Sequence, residues 1–282
     1  MRLCRYGKSG FEKPGMVDAD GRVRDLSKIV EHIGPNEISP RGLKMLAKVR
    51  PETLPVVTNN SRLGVPYVGI GKFIAIGLNY SDHAKEAGMP IPPEPVVFMK
   101  ATTCISGPGD DVIQPKNSTK LDWEVELGVV IGTKAQYVSE EKALEHVAGY
   151  CVVNDVSERT FQMATSQWDK GKGFDTAGPV GPWLVTTDEI KDPQTLDMWL
   201  DVNGKRMQSG NTRTMIFGVA QIIAHVSQYM TLMPGDIITT GTPPGAGLGM
   251  KPNPVFLKPG DVVTLGIRGL GEQRQKIVAW SG

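Results

Sequence analysis

Three acidic residues stand two apart in an otherwise apolar segment, LDWEVELGVVIG (residues 121–132). A β-strand repeats every two residues, so Asp122, Glu124 and Glu126 would share one face of a strand, and the apolar residues between them the other. Carboxylates crowded on one face repel each other and lose hydration if they are buried. Their spacing therefore predicts either a face open to solvent or a face that binds a cation.

A fourth acid, Asp155, ends the segment GYCVVND (149–155), which we predict to be a buried strand. Glu124, Glu126 and Asp155, with no pair of Cys or His nearby, suit a hard cation such as Mg²⁺, Mn²⁺ or Ca²⁺ better than zinc. Asp122 lies at the strand entrance, where a position on the surface or behind the ligands is favoured. Alternation is also common in half-exposed strands, so the pattern alone leaves a solvent-facing strand open.

A histidine and a glutamate occur three residues apart in NYSDHAKEAG (79–88), where a predicted strand gives way to a predicted helix capped by Ser81 or Asp82. His83 and Glu86 would lie on one face of that helix. A histidine beside a carboxylate can act as a general base. The alternative is an exposed ion pair with no chemical role.

Further polar residues could contact a ligand. Arg159 and Gln162 are three apart in a predicted helix, and Lys172 lies in a glycine-flanked loop, GKGFD. No GxxxxGK[ST] is present, so a phosphate-binding loop of that type is excluded. The glycine-rich segment 241–249 is followed by prolines rather than a helix, which disfavours a nicotinamide-dinucleotide site. We expect a rigid turn there in which Thr242 presents its hydroxyl to a ligand.

Composition narrows the class of protein. The chain has 31 Lys plus Arg and 30 Asp plus Glu, so no net charge favours nucleic acid or an anionic membrane. The three cysteines are odd in number and widely spaced, which fits reduced thiols. No apolar run is long enough to span a membrane, and the N-terminus lacks the apolar region of a signal peptide. We therefore expect a cytoplasmic protein without a nucleic-acid or membrane partner.

The pattern along the chain predicts a small N-terminal domain (1–70) and a larger domain (71–282). With 33 Gly and 21 Pro, many short strands are favoured over a helical bundle. We predict hairpin turns at Asp20-Gly21 and Asn203-Gly204. The other predicted elements are helices over 41–49, after Ser139, over 157–168 and over 217–230, and a linker over 59–66.

Five segments, in this order, resemble the fumarylacetoacetate hydrolase family: GLNYSDHAKEAG, LDWEVELGVVIG, GYCVVNDVSERTFQ, GKGFDTAGPVGPW and ITTGTPPGAG. The likeness runs from about residue 71 to the end. Residues 1–70, which open with MRLCRYG, resemble the branch of 2,4-diketo-3-deoxy-L-rhamnonate and fuconate hydrolases, whose relatives are often named ureidoglycolate lyase. The resemblance implies a β-rich α+β fold, a mixed β-sandwich or β-roll with flanking short helices and a small N-terminal α/β domain. It also implies a homodimer.

The resemblance also implies roles for single residues. The metal ligands map onto Glu124, Glu126 and Asp155, and the catalytic residues onto His83, Glu86 and Lys172. The substrate contacts map onto Tyr80, Arg159, Gln162 and Thr242. Leu78 is a departure, because acylpyruvate-cleaving relatives often carry Arg at this position. Fumarylacetoacetase has an additional acidic ligand near this point, which this chain lacks.

The activity that the resemblance implies is hydrolysis of a carbon–carbon bond in a 2,4-dioxo acid, assisted by Mg²⁺, Mn²⁺ or Ca²⁺. A 2,4-diketo-3-deoxy sugar acid would give pyruvate and a short hydroxy acid. Decarboxylation of oxaloacetate and isomerisation of a dioxo acid are alternatives, because both pass through the same kind of enolate. A metal-binding or scaffold protein without catalysis is disfavoured, because His83, Glu86 and Lys172 are all present.

Overall fold

The computed structural model describes residues 1–58 and 61–281. The α-helices within these residues are α1 (Pro40–Leu46), α2 (Ser81–Ala87), α3 (Glu140–Ala143), α4 (Arg159–Gln162), α5 (Asp169–Lys172) and α6 (Val219–Val226). The strands are β1 (Arg2–Tyr6), β2 (Lys13–Val17), β3 (Val23–Asp25), β4 (Leu63–Gly64), β5 (Phe73–Gly77), β6 (Val96–Lys100), β7 (Ile105–Ser106), β8 (Val112–Gln114), β9 (Leu121–Asp122), β10 (Val125–Ile131), β11 (Val147–Asn154), β12 (Ser157–Glu158), β13 (Gly178–Thr186), β14 (Asp197–Val202), β15 (Lys205–Asn211), β16 (Ile237–Thr239), β17 (Val262–Ile267) and β18 (Gly271–Ala279).

Most strands belong to two sheets. The larger sheet has the order β3-β2-β1-β13-β11-β10-β16-β5-β6, with β4 beside β1 and β7 beside β13. Its neighbours are antiparallel except β5–β16 and β7–β13, which are parallel. The smaller sheet has the order β15-β14-β17-β18-β8, and β9 pairs with β12 in a separate ribbon. The carboxylates of interest come from the centre of the larger sheet.

The two sheets pack face to face through β10, β11 and β13 on one side and β14, β17 and β18 on the other. Gln273 links them, because its side-chain amide donates to the carbonyl oxygens of Val152 (2.8 Å) and Gly181 (3.0 Å). The apolar residues between the sheets are almost entirely buried. This packing confirms the predicted β-rich α+β fold with a mixed β-sandwich.

The N-terminal strands continue the larger sheet. β1 pairs with β13, with Arg2 opposite Val185. Whether residues 1–70 form a separate domain stays a prediction. In the predicted linker, Asn59 and Asn60 lie outside the described residues, whereas β4 pairs with β1 and so is part of the sheet.

Both predicted hairpins are confirmed. β2 and β3 are joined through a turn that contains Gly21 at φ +79°. β14 and β15 are joined through Asn203 and Gly204, at φ +52° and +77°. Positive φ at both central residues is the conformation that suits the twist of paired strands, and Asn-Gly adopts it readily. These turns were predictable because their chemistry is local.

The predicted helices are shorter in the structure. The segment 157–168 begins as strand β12, and only α4 within it is helical. The reason is Glu158, whose carboxylate accepts hydrogen bonds from the backbone of Phe161 and of Lys120 and so ties this turn to the approach to β9. The N-cap of α2 is Tyr80 rather than Ser81 or Asp82.

No helix among residues 1–58 and 61–281 is both long enough and apolar enough to cross a membrane.

Candidate metal and substrate site

Three carboxylates meet where β10 begins and β11 ends. Val125 and Asn154 are register partners in this antiparallel pair, so Glu124 and Asp155 lie side by side just beyond it. The Asp155 amide donates to the Glu124 carbonyl (2.9 Å). Glu126 follows Glu124 by two residues and joins them, and the three offer carboxylate oxygens within 4.8 Å of one another. Their exposures are 6%, 2% and 1% in the order Glu124, Glu126 and Asp155, which excludes a solvent-facing strand.

Two buried lysines neutralise part of this cluster. Lys172, at the end of α5, donates from Nζ to Glu124 Oε2 (2.5 Å) and Asp155 Oδ2 (2.7 Å). Lys100, at the end of β6, donates to Asp155 Oδ1 (2.5 Å) and to the carbonyl oxygen of Lys172. Lys100 therefore fixes both the carboxylate and the end of the helix that carries Lys172.

Arg159 bridges two of the acids from the opposite side. Its Nε donates to Asp122 Oδ2 (2.8 Å) and one terminal nitrogen donates to Glu124 Oε1 (2.6 Å). Asp122 also accepts from the backbone amides of Gly247 (2.7 Å) and Leu248 (3.0 Å). Of the two positions expected for Asp122, the surface is excluded because these contacts bury it completely, and the position behind the ligands is the one observed. Asp122 holds Arg159 and the glycine-rich segment in place and stays outside the triad.

Glu126 is oriented by the turn after β16. Its Oε2 accepts from the Thr239 hydroxyl (2.6 Å) and from the Gly241 amide (2.8 Å). Gly241 has φ +93°, and a Cβ there would come within 2.8 Å of Asn79 Cβ, so the turn requires glycine. Asn79 in turn donates to the Thr240 carbonyl (2.8 Å) and joins this turn to the entrance of α2.

The environment shifts the pKa values of these groups in opposite directions. Burial, together with the charges of Asp155 and Glu124, raises the pKa of Glu126 well above its ordinary value. Burial alone would raise the pKa of Glu124, but the charges of Lys172 and Arg159 outweigh it and hold that pKa well below its usual range. Burial opposes the charged form of Lys172, yet Asp155 and Glu124 raise its pKa, so the ammonium persists.

The charge balance and donor chemistry fit a divalent cation. Glu126 Oε1 has no hydrogen-bond partner in the described part of the chain, and the remaining oxygens are hard donors of the kind Mg²⁺, Mn²⁺ and Ca²⁺ prefer. The buried charged residues that make up this cluster are Asp122, Glu124, Glu126, Asp155, Lys100, Arg159 and Lys172. When all are ionised they sum to −1, four negative against three positive, and a divalent cation would make the cluster +1.

A cavity of about 390 Å³ opens onto this cluster and is also lined by His83 and Glu86 of α2. His83 Nδ1 lies 3.1 Å from Glu86 Oε2, which also accepts from the Gly245 amide (3.2 Å). Leu78, at φ +47°, turns the chain sharply between β5 and α2 and so brings this helix to the cavity. The pair is therefore part of the cavity wall and not an isolated surface ion pair.

The remaining predicted contacts divide into two groups. Gln162 and Thr242 line the cavity. Gln162 Oε1 accepts from Arg159 (2.9 Å), and the Thr242 hydroxyl donates to the Val125 carbonyl (2.9 Å). Tyr80 lies outside the cavity lining, with its hydroxyl on Met198 Sδ at 3.2 Å.

Tyr80 faces inward because its backbone bridges to Met215, which points the ring into the core. The structure thus gives no support to Tyr80 as a substrate contact. Lys100, by contrast, belongs to the site but was not predicted from the sequence. The signal was a lysine closing an apolar strand, VVFMK, where burial demands an anionic partner.

The match to a known family covers most of the chain. The family described as "Fumarylacetoacetate (FAA) hydrolase C-terminal" matches residues 72–278. A protein of Burkholderia lata, named in general terms as a candidate hydrolase, is 62% identical over 276 residues, which span 98% of each chain.

Solved structures show the same fold. Fumarylacetoacetate hydrolase from Exiguobacterium antarcticum is 37% identical, with a TM-score of 0.89 over 99% of this chain and 100% of the other. A probable 2-hydroxyhepta-2,4-diene-1,7-dioate isomerase from Mycobacterium abscessus is 35% identical, with a TM-score of 0.84 over the whole of both chains. Maleylpyruvate hydrolase from Sphingobium sp. SYK-6 is 31% identical, with a TM-score of 0.82 over 99% and 100%. The chain therefore belongs to the fumarylacetoacetate hydrolase family of enzymes.

Proposed function

We propose that the protein hydrolyses the C3–C4 bond of a 2,4-dioxo acid and releases pyruvate and a carboxylic acid. The observation that carries the proposal is one cavity that joins a buried carboxylate triad to a histidine–glutamate pair. Two solved relatives, named as a fumarylacetoacetate hydrolase and a maleylpyruvate hydrolase, support this class of reaction.

Glu124, Glu126 and Asp155 would hold a divalent cation, which we expect to be Mg²⁺ or Mn²⁺, with Ca²⁺ as a substitute. When bound, the cation supplies a Lewis acid that polarises carbonyl oxygens and offsets developing negative charge. The resulting cluster charge of +1 favours an anionic substrate, as a dioxo acid is at neutral pH.

His83 would take a proton from the water that adds to the C4 carbonyl carbon. Its Nδ1 faces Glu86, which holds the ring so that Nε2 can accept the proton. Collapse of the adduct breaks the C3–C4 bond and leaves the electron pair on C3 as the enolate of pyruvate. Protonation of C3 then completes the reaction.

Lys172 would stabilise the negative charge that develops on oxygen. Two of its three ammonium hydrogens are committed to Glu124 and Asp155, so one remains for a ligand. Arg159 positions Glu124 on the other side and leaves Gln162 facing the cavity. Preorganised donors of this kind are among the strongest contributors to catalysis.

The same groups could instead isomerise a dioxo acid or decarboxylate oxaloacetate, because each needs an enolate and a movable proton. The Mycobacterium abscessus isomerase supports the first of these as a second candidate. The 2,4-diketo-3-deoxy sugar acid, the homodimer and the cytoplasmic location stay predictions.

The test is a panel of 2,4-dioxo acids incubated with Mg²⁺, with pyruvate measured by reduction to lactate. Proton NMR of the same mixtures separates pyruvate plus acid from an isomer or a decarboxylated product. His83→Gln should lower kcat by about 10²- to 10⁴-fold. The exposed histidine variant His32→Gln is the matched control and should behave as wild type. Turnover that produces only an isomer would replace hydrolysis with the second candidate.

A further inference from the structure

Part of the cavity wall is apolar. The large apolar residues in this part of the wall are Leu78, Met89, Phe98, Met163, Trp168 and Leu248. The whole cavity, at about 390 Å³, falls in the range of small-molecule sites. It is larger than a pyruvyl group requires, so the space beside these walls is available for the acyl part of a substrate.

Two aromatic rings form a corner of the cavity wall close to Lys172. The rings of Phe98 and Trp168 meet edge to face, with centroids 5.3 Å apart and planes at 66°. Lys172 Nζ lies 5.4 Å from the centroid of the Phe98 ring. A group attached to C4 of a substrate held near Lys172 would therefore lie against these two rings.

Trp168 packs closely against the backbone of β5 in this corner. A Cβ placed on Gly77 would come within 2.5 Å of a ring atom of Trp168. Only a glycine lets the indole pack this closely on the strand. Gly77 therefore leaves the space that the indole occupies in this corner.

The rim of the cavity is unusually apolar for a surface. Met89, Met163 and Leu248 come from three separate segments and are 52%, 69% and 43% exposed. Exposed apolar side chains that converge on one opening are typical of a site that binds an apolar ligand.

Two polar side chains of the cavity wall, Arg159 and Thr242, have donors that are already engaged. The three guanidinium nitrogens of Arg159 donate to Asp122, Gln162 and Glu124. The hydroxyl hydrogen of Thr242 goes to a backbone carbonyl. A hydroxyl that lies against the apolar walls would lose hydration, whereas a methyl or phenyl group there would gain from burial.

From these walls we infer that the acyl group of the substrate is apolar, either branched aliphatic or aromatic, and not the hydroxylated chain of a sugar acid. This rests on the proposed function and adds the chemical class of the group on C4. Lys251 also lines the rim and is the feature that would instead suit a second carboxylate on the substrate.

The test uses two substrates that differ by one group of the same size. In 5-methyl-2,4-dioxohexanoate a methyl group replaces the hydroxyl of 5-hydroxy-2,4-dioxohexanoate, the sugar-acid derivative. We expect kcat/KM to favour the methyl compound by on the order of 10- to 100-fold, since apolar pockets discriminate hydroxyl from methyl by about this much. Equal values, or a preference for the hydroxyl compound, would overturn the inference. Release of pyruvate from neither would refute the proposed function itself.

Two variants test whether this part of the cavity causes the preference for the methyl compound. Met163→Gln should reduce the preference for the methyl compound several-fold, and Met233→Gln, at an exposed methionine outside the cavity lining, should leave it unchanged. A third arm uses maleylpyruvate with wild type and Lys251→Gln. If maleylpyruvate is preferred over the methyl compound and Lys251→Gln removes that preference, the substrate carries a second carboxylate and the inference fails.

Discussion

Lys100→Met removes a buried cation that only the structure revealed. Lys100 is fully buried, and its ammonium contacts Asp155 Oδ1 at 2.5 Å and the carbonyl oxygen of Lys172. Methionine has a similar length and no charge, so it should fill the space without a steric clash. The substitution removes the positive charge beside Asp155 Oδ1 and one hydrogen bond at the end of α5.

The expected cost depends on whether a metal ion is present. Removing one partner of a buried ion pair typically costs about 3–5 kcal/mol, because the other charge stays buried without compensation. Lys172 still pairs with Asp155 in the variant, so in chelator the free energy of unfolding should fall by an amount near the lower end of this range, about 3 kcal/mol, or roughly 5 °C in Tm for a chain of this size. In excess Mg²⁺ the cation compensates Asp155, so the deficit should shrink to the lost hydrogen bond, about 1 kcal/mol.

The assay is thermal unfolding of wild type and variant, each in EDTA and in excess Mg²⁺. Lys142→Met is the matched control, because Lys142 is exposed on α3, and it should change Tm little in either condition. The same deficit in both conditions would show that the cost does not arise from the Asp155 charge. The absence of any deficit in EDTA would refute the buried ion pair.

Three further predictions follow from the structure. Gly77→Ala should lower the free energy of unfolding by about 1–3 kcal/mol, because the added methyl group overpacks against Trp168. The control in thermal unfolding is Gly109→Ala, because the space around Gly109 is open. Equal Tm values for the two variants would contradict the packing. Burial raises the pKa of Cys104 to about 11 and that of Cys4 to about 12, so dithionitrobenzoate at pH 8 should label these thiols only after unfolding. Fast labelling of the native protein would oppose this. In chelated protein, the raised pKa of Glu126 means that the folded state keeps a proton that the unfolded state loses above about pH 4.3. Stability should therefore fall as pH rises from that value towards the raised pKa, and Glu126→Gln should flatten this dependence of Tm on pH. The same dependence in wild type and variant would contradict the raised pKa of Glu126.

The parts of the fold that the sequence predicted well are those set by neighbouring residues. Asn203-Gly204 specified its hairpin because both residues tolerate positive φ. Alternation placed Glu124 and Glu126 on one side of a strand, and the buried run before Asp155 ended where its partner strand began. The order of strands in the larger sheet is not local and could not be derived from such patterns.

The residues whose surroundings the sequence could not specify depend on contacts far along the chain. Lys100 is 55 residues from Asp155, and no spacing rule links the two. Asp122 is buried because Gly247 and Leu248, which come 125 and 126 residues later in the chain, fold over it and donate their backbone amides. Tyr80 sits two residues after Leu78, and a distant bridge to Met215 decides where its ring points. These outcomes follow from tertiary pairing, which a single sequence does not show.

The central claim is that a divalent cation at Glu124, Glu126 and Asp155 enables pyruvate release from a 2,4-dioxo acid. The most direct measurement is pyruvate release from 5-methyl-2,4-dioxohexanoate by protein that has been exhaustively chelated, verified metal-free by elemental analysis, and then supplied with Mg²⁺. We predict that chelation abolishes release, that Mg²⁺ restores it, and that Glu124→Gln remains inactive with Mg²⁺ while still folded. Undiminished release from the verified metal-free protein would contradict the account.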